Sequence, residues 1–285
     1  MGVAVFVQAG QVEMTSVHKK LAALEASSGG RLGICAINTT NNQRIDYRAE
    51  ERFQIQSTFK VMAVAAVLKQ SMTDNKLLQE KVNYTKHDLV FWSPVTEKHL
   101  NEGMTIAQLC SAALSYSDNT ATNLIMKKQG GPQAVTAFAR SIGDSTFRID
   151  GWEPALNSNP ADARDSSTPA AMKESLQKLA FGKILGPSQR ELFIAWMKAN
   201  TTGDTRIRAG VPKGWTVADK TGTGEYYGIS NDIGIIWPPG CAPLILAIYS
   251  RQDKPDGKRQ DLLIASATRL LIDEFAKRED GCVPA

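Results

Sequence analysis

The sequence predicts an α/β protein of the α+β kind: one antiparallel sheet flanked by helices, with an all-helical lobe inserted into it. Two observations lead there. Runs of β-branched and aliphatic residues that read as strands lie at both ends of the chain, at 31–39 and 44–48 and again at 215–221, 232–237 and 244–250. Between them the residues carry helical periodicity, with several stretches closed by glycine. A sheet built from such distant segments takes its edge and its centre from opposite ends of the chain, so the helical middle has to stand out as a lobe.

Each element has a local reason. Val17, Leu21 and Leu24 fall on one face of a helix between Thr15 and the stop at Gly29-Gly30. The strands at 31–39 and 44–48 are joined by the turn-rich Thr40-Asn41-Asn42. An apolar run of Ala, Val, Met and Leu predicts a buried helix over 57–70, and further helices are expected near 105–115, 119–129, 132–142, 168–181, 187–199 and 260–277. A polar, proline-bearing loop at 148–165 is too long for an ordinary connector. We expect one domain over 14–285, with an α/β lobe at 14–53 and 200–285 and a helical lobe at 54–199. Residues 1–13 read either as a signal remnant or as a disordered end, because the run from Met1 to Ala9 ends like a cleavage site but lacks a basic start.

Composition narrows the function classes. With 285 residues, 42% of them hydrophobic, the chain can bury the core of one large domain or two interleaved lobes. The net charge of +4 comes from dispersed Lys and Arg, which is no footprint for nucleic acid. No apolar run approaches the roughly 18 residues of a membrane span. The cysteines are Cys35, Cys110, Cys241 and Cys282; an even number permits disulfides, and the C-x-x-C spacing of a metal site is missing. No metal or cofactor is expected.

The chemistry-bearing residues form four short elements: Ser57-Thr-Phe-Lys60, Ser117-Asp-Asn119, Glu153 within Trp-Glu-Pro-Ala-Leu-Asn, and Lys220-Thr-Gly222. A serine hydroxyl needs a base to become a nucleophile. With Ser57 opening a helix, Lys60 lies one turn on and on the same face, so its amine can approach the hydroxyl. His18 and His99 read as surface helix residues and His87 as a turn residue, which favours a Ser-Lys over a Ser-His-Asp arrangement. Ser117 and Asn119 lie at a helix–helix junction, from which a hydroxyl and an amide can project into a cleft; Asp118 suits a helix cap. Gly222 on a strand lets a substrate approach the backbone, and Lys220 supplies positive potential for a carboxylate. Glu153, in the long loop, can hold a water opposite the serine.

Together these elements resemble the signature of class A β-lactamases and penicillin-binding proteins. An S-x-x-K arises by accident about once in such a chain, but S-D-N or K-T-G in only roughly one chain in ten or twenty. The glutamate separates the two groups, because penicillin-binding peptidases lack it and release β-lactams slowly. The resemblance spans 17–277, and LEASSGGRLG, MAVAAVLKQS, VTAFARSIGD and NTTGDTRIRAG look like the cefotaximase-type extended-spectrum enzymes.

The resemblance implies roles by position, on a β-lactamase/transpeptidase-like fold. Ser57 would be the nucleophile, Lys60 and Glu153 bases, and Ser117 a proton relay. Asn119 and Asn157 would hold substrate and water, and Lys220, Thr221 and Thr223 the substrate carboxylate, with the backbone amides of Ser57 and Thr223 as oxyanion hole. Trp92 falls at an aromatic gatepost of the cleft. Arg206 matches an arginine that some relatives use for the β-lactam carboxylate, the alternative position holding Gln260. The resemblance also implies a monomeric, periplasmic or secreted enzyme acting on a small-molecule β-lactam, including oxyimino-cephalosporins. Cys110 aligns with one half of a family disulfide whose other half is Val64 here, so it is expected as a buried free thiol. Another family bridge is replaced by Gln56 and Gly224. The chain also departs at Gly151, where relatives carry an arginine paired with the aspartate seen here as Asp165, and the intervening loop is one residue shorter. A mobile loop neck and a widened cleft are the expected result.

Overall fold

Helix α1 (Ser16–Ser28) runs from extended Thr15 to Gly29, whose φ of 68° is the left-handed stop that an unbranched backbone takes at lowest cost. The computed structural model describes residues 15–284, so the 1–13 segment lies outside the described residues. The chain continues through β1 (Gly30–Asn38), β2 (Gln43–Tyr47) and the short β3 (Phe53–Gln54) into a 3₁₀ turn, Gln56–Phe59. Helix α2 (Lys60–Ser71) leads to β4 (Lys81–Val82) and β5 (Met104–Thr105), which pair with each other. The helical group follows as α3 (Ile106–Ser115), α4 (Asn119–Gln129) and α5 (Pro132–Ser141), then β6 (Ser166–Ser167), α6 (Pro169–Phe181) and α7 (Pro187–Lys198). The single-turn α8 (Ile207–Gly210), strands β7 (Thr216–Gly224), β8 (Ile229–Trp237) and β9 (Leu244–Gln252), and helix α9 (Asp261–Ala276) complete the order.

All pairings in the five-stranded sheet, β2-β1-β9-β8-β7, are antiparallel. The early strand β1 therefore sits between its sequence neighbour β2 and the late strand β9, with Ile34 opposite Ile248. Side chains alternate across the sheet with period two. Leu244, Leu246 and Ile248 join α1 and α9 in one core, while Ile245, Ala247 and Tyr249 face the helical lobe in the other. Burial on both faces is why this strand reads as an unbroken apolar run.

Helix α2 is the axis of the helical lobe. From 61 to 68 every residue except Ala66 is buried, the pattern of a helix surrounded by protein. Burying each Val, Met or Leu there contributes about 1.5–3 kcal/mol, so a charged residue in place of Met62 would break the lobe. Around it, Thr105 and Gln108 form a capping box on α3, and Asp118 caps α4 through the Ala121 N–H.

Three boundaries differ from expectation. The helix expected over 57–70 starts as a 3₁₀ turn and is α-helical only from Lys60. Strands expected at 215–221 and 232–237 extend toward each other to Gly224 and Ile229. Of the added residues, Gly222, Gly224, Ser230 and Asn231 have weak strand preference; ladder bonds between β7 and β8 hold them extended.

The open question of the cysteines is resolved by a Cys241–Cys282 disulfide, which joins the β8–β9 hairpin to the segment after α9. Asn38 reinforces that closure, its Nδ2 donating to the Gly281 carbonyl at 2.8 Å. Cys35 and Cys110 are buried free thiols; burial, with Asp46 nearby, pushes Cys35 up to about 12, and burial pushes Cys110 up as well. The bridge closes a separation of 41 residues. Replacing Cys241 and Cys282 with Ser should cost about 2–4 kcal/mol in urea unfolding, and unchanged stability would show that the tail is held without it.

Candidate active site

Ser57 lies in the 3₁₀ turn, directly after Gln56, whose φ is 46°. The turn is held from two sides. Thr58 Oγ1 donates to the Ile55 carbonyl at 2.7 Å, and Asn231 Nδ2 on β8 donates to the Gln54 carbonyl at 2.8 Å. On β7, a Cβ at Gly222 would lie 2.6 Å from the Ile55 carbonyl oxygen. Glycine at 222 is therefore demanded by close packing of β7 on the nucleophile turn.

Behind Ser57 two lysines converge, both with no exposed surface. Lys60 Nζ donates to the Ser117 carbonyl at 2.8 Å, to Asn119 Oδ1 at 2.5 Å and to Ser117 Oγ at 3.3 Å. Lys220 Nζ donates to the same Ser117 Oγ at 2.9 Å and to the Thr221 carbonyl at 2.9 Å. Glu153, 7% exposed, lies between the serine and the first lysine. Its Oε1 accepts from Ser57 Oγ at 2.9 Å and is 3.1 Å from Lys60 Nζ. The expected approach of the amine to the hydroxyl thus runs through a shared carboxylate oxygen. Desolvation pushes both lysines below their ordinary range; Glu153 opposes this at Lys60, while Lys60 adds to it at Lys220.

The backbone around these groups is unusual. Gln56, Trp92, Ser117 and Asp165 all have positive φ without being glycine. Each such conformation costs roughly 1–3 kcal/mol and persists only where surrounding contacts dictate it.

The loop that carries Glu153 is anchored at both ends. Asn123, one turn after Asn119 on α4, donates to the Glu153 carbonyl at 2.8 Å and accepts from its N–H at 3.1 Å. Asp165, 3% exposed, accepts from the N–H groups of Asp150, Gly151 and Asn157 at 2.7, 2.9 and 2.8 Å. The neck that lacks the arginine still has its own contacts. With no guanidinium to pair with, Asp165 binds three backbone donors and holds the neck itself, next to a cavity of about 190 Å³ lined by Gly151 and Ala155.

Asn157 is a correction to the expected set. Its Nδ2 donates to the carbonyls of Asp162 and Arg164 at 3.1 and 2.9 Å, and its Oδ1 accepts from the Asn159 N–H. The amide is consumed in folding the short loop and makes no hydrogen bond with Glu153, so the structure does not bring it into the water-holding position expected of it.

Arg206 is no surface arginine. It is 3% exposed and donates to the carbonyls of Gly222 and Asn231 and to Thr223 Oγ1, the last at 2.7 Å, while pairing with Asp261. It thus meets the cleft through the Thr223 hydroxyl. Thr221 Oγ1 shares a 2.6 Å hydrogen bond with Thr202. Trp92 is 52% exposed beside the site, its carbonyl accepting from the Asn119 N–H. The three histidines hydrogen-bond elsewhere or stand in solvent: His18 meets Thr15 and Asp46, His99 pairs with Glu102, and His87 is exposed in a 3₁₀ turn.

A model of the β-lactamase enzyme family matches residues 16–275. The chain belongs to the β-lactamase enzyme family. It is 53% identical over 259 residues to β-lactamase OXY-2 of Klebsiella oxytoca, covering 90% of this chain and 89% of that protein. With β-lactamase Toho-1 of Escherichia coli it shares 52% over 264 residues, 92% of this chain and 90% of that one. A solved variant of the last common ancestor of Gram-negative bacteria β-lactamase class A superposes with a TM-score of 0.89 at 46% identity, covering 92% and 99% of the two chains. The protein is accordingly a class A β-lactamase of the cefotaximase-like kind, a hydrolase acting on β-lactams.

In this β-lactamase the sequence motifs mark the groups that converge, and reasoning from motifs missed those that hold them. Asn123 carried a signal, since its spacing of four from Asn119 places both on one helical face. Gln54, Gln56 and the triple acceptance by Asp165 carried none, because their partners are backbone groups of a loop about a hundred residues away or within it. Asp165→Ala should leave three amides unpaired, costing about 1–3 kcal/mol in thermal unfolding and slowing β-lactam turnover. Wild-type stability and turnover in that variant would return the neck to the mobile picture.

Proposed function

We propose that the enzyme hydrolyses the β-lactam amide of penicillins and cephalosporins, oxyimino-cephalosporins among them, through an acyl-enzyme on Ser57, and so confers antibiotic resistance. The observation that carries this is the Glu153 Oε1 contact with both Ser57 Oγ and Lys60 Nζ. Ser57 Oγ attacks the lactam carbonyl while its proton passes to the Lys60–Glu153 pair. The oxyanion is stabilised by the N–H groups of Ser57 and Thr223. Collapse breaks the C–N bond, and Ser117, linked to Lys60 and Lys220, delivers a proton to the departing nitrogen. Glu153 then takes a proton from water as it attacks the ester, and Ser57 leaves with a proton regained from the same network.

Burial lowers the proton affinity of Lys60, so its amine gives up a proton more readily than an ordinary lysine and is suited to take and return one. Lys220, Thr221 and Thr223 are assigned to the substrate carboxylate, with Arg206 behind Thr223 supplying positive potential. Asn119 and the rim residue Trp92 are assigned to the substrate side chain. The oxyimino reading is supported by the cefotaximase-like sequence, not by loop mobility. We further infer a monomeric enzyme forming one domain over 14–285, with lobes 14–53 plus 200–285 and 54–199. A periplasmic or secreted location is supported by the Cys241–Cys282 bridge, which belongs in an oxidising compartment.

Intact-mass analysis with a penicillin and with an oxyimino-cephalosporin tests the assignment. Ser57→Ala should form no adduct. Glu153→Ala should trap a single adduct on the Ser57 peptide, with turnover reduced about 10² to 10⁴-fold. Near wild-type turnover in Glu153→Ala would falsify the hydrolytic scheme, and an oxyimino-cephalosporin left intact by the wild type would remove that substrate class.

Arg206→Ala should chiefly raise KM, by the equivalent of about 1–3 kcal/mol, because Thr223 loses a charged donor. An unaltered KM across several β-lactams would confine Arg206 to holding β7 and β8 together.

A further inference from the structure

We propose that Gln56 is a positioning residue for deacylation, its carboxamide tying the turn that carries Ser57 to the loop that carries Glu153. This rests on the acyl-enzyme reading above. Gln56 is 6% exposed and immediately precedes the nucleophile. Its Nε2 donates to the Asn157 carbonyl and to Ser158 Oγ, both at 3.1 Å. A carboxamide nitrogen has two N–H groups, and both go to this one stretch of loop. The Gln56 φ of 46° is a conformation that glycine would take at less cost, and the residue present is instead one whose side chain spans to the loop.

The placement divides the two half-reactions. Of the groups assigned to acylation, Lys60 and Ser117 are held by α2 and the α3–α4 junction, and none of their hydrogen bonds involves the Gln56 side chain; Glu153 enters that step as the partner of Lys60. Deacylation needs a water between Glu153 and the ester at Ser57, so it depends on how the loop is set against the turn. Asn123 fixes Glu153 to the helical lobe and Asp165 fixes the neck. Gln54 holds the outer part of the loop through the carbonyls of Asn159 and Asp162. Gln56 ties the segment four residues after Glu153 to the residue adjoining Ser57. On its other side, a Cβ at Gly224 would lie 3.3 Å from Gln56 Cδ, so β7 closes against the carboxamide and limits its escape.

Stopped-flow hydrolysis of a chromogenic cephalosporin, combined with intact mass at steady state, separates the two rate constants. Gln56→Met keeps length and apolar volume while removing both donors; Ser158→Ala removes one acceptor without touching the turn. Gln56→Met should keep its acylation rate within about threefold, deacylate about tenfold more slowly and accumulate acyl-enzyme, with Ser158→Ala shifting the same ratio less. A purely structural role would lower the melting temperature and the active fraction while leaving the ratio of the rate constants unchanged, and that result overturns the proposal. So does wild-type deacylation in folded Gln56→Met. If the wild-type enzyme forms no Ser57 adduct, the acyl-enzyme reading fails and takes this inference with it; an adduct with unaltered deacylation sinks the inference alone.

Discussion

Two lysine amines buried without solvent contact and sharing one hydroxyl are the constraint around which the rest of the molecule is arranged. Lys60 and Lys220 both reach Ser117 Oγ, and Lys60 further depresses the proton affinity that burial has already lowered at Lys220. Such a pair is tolerable only with acceptors and negative charge nearby. The Ser117 and Thr221 carbonyls and Asn119 Oδ1 supply the first, and Glu153, with Asp219 and Asp232 acting at longer range on Lys220, the second. A carboxylate that balances this charge is thereby held within hydrogen-bond distance of Ser57. Electrostatic necessity and the proposed chemistry ask for the same geometry.

That geometry needs three separate parts of the chain to meet within an ångström or so. The sheet brings β7 and β8 to the nucleophile turn through Asn231 and the absent side chain of Gly222. Helix α2 carries Lys60 into the core from a 3₁₀ turn that opens at Gln56. The loop delivers Glu153 from a neck closed by Asp165. Because most of these ties end on backbone carbonyls and amides, the loop can change its side chains considerably and keep its course. Its arginine-free neck illustrates this: three N–H donors satisfy a carboxylate that relatives pair with a guanidinium.

The same reasoning explains why positional likeness failed at Asn157 and needed revision at Arg206. Both residues match the family by position, yet the role of a side chain depends on which acceptors lie nearest. In a loop one residue shorter, loop carbonyls claim the Asn157 amide. Asp261 and the carbonyls of Gly222 and Asn231 draw Arg206 under the strand, leaving one N–H group for Thr223.

The sequence alone determined the order and kind of the long helices and strands, because burial on one or two faces imposes a periodicity that survives in residue order; the two-residue strands β3 to β6 and the single-turn α8 are too short to carry one. It also determined the converging set Ser57, Lys60, Ser117, Glu153 and Lys220, since those chemistries need fixed residue types at short fixed spacings. Tertiary structure decided the rest: the Cys241–Cys282 pairing, the three backbone contacts of Asp165 at the loop neck, the burial of Arg206 and the Gln56 tie. Each of these joins segments distant in the chain or uses backbone groups that all residues share. Neither leaves a pattern in the order of side chains.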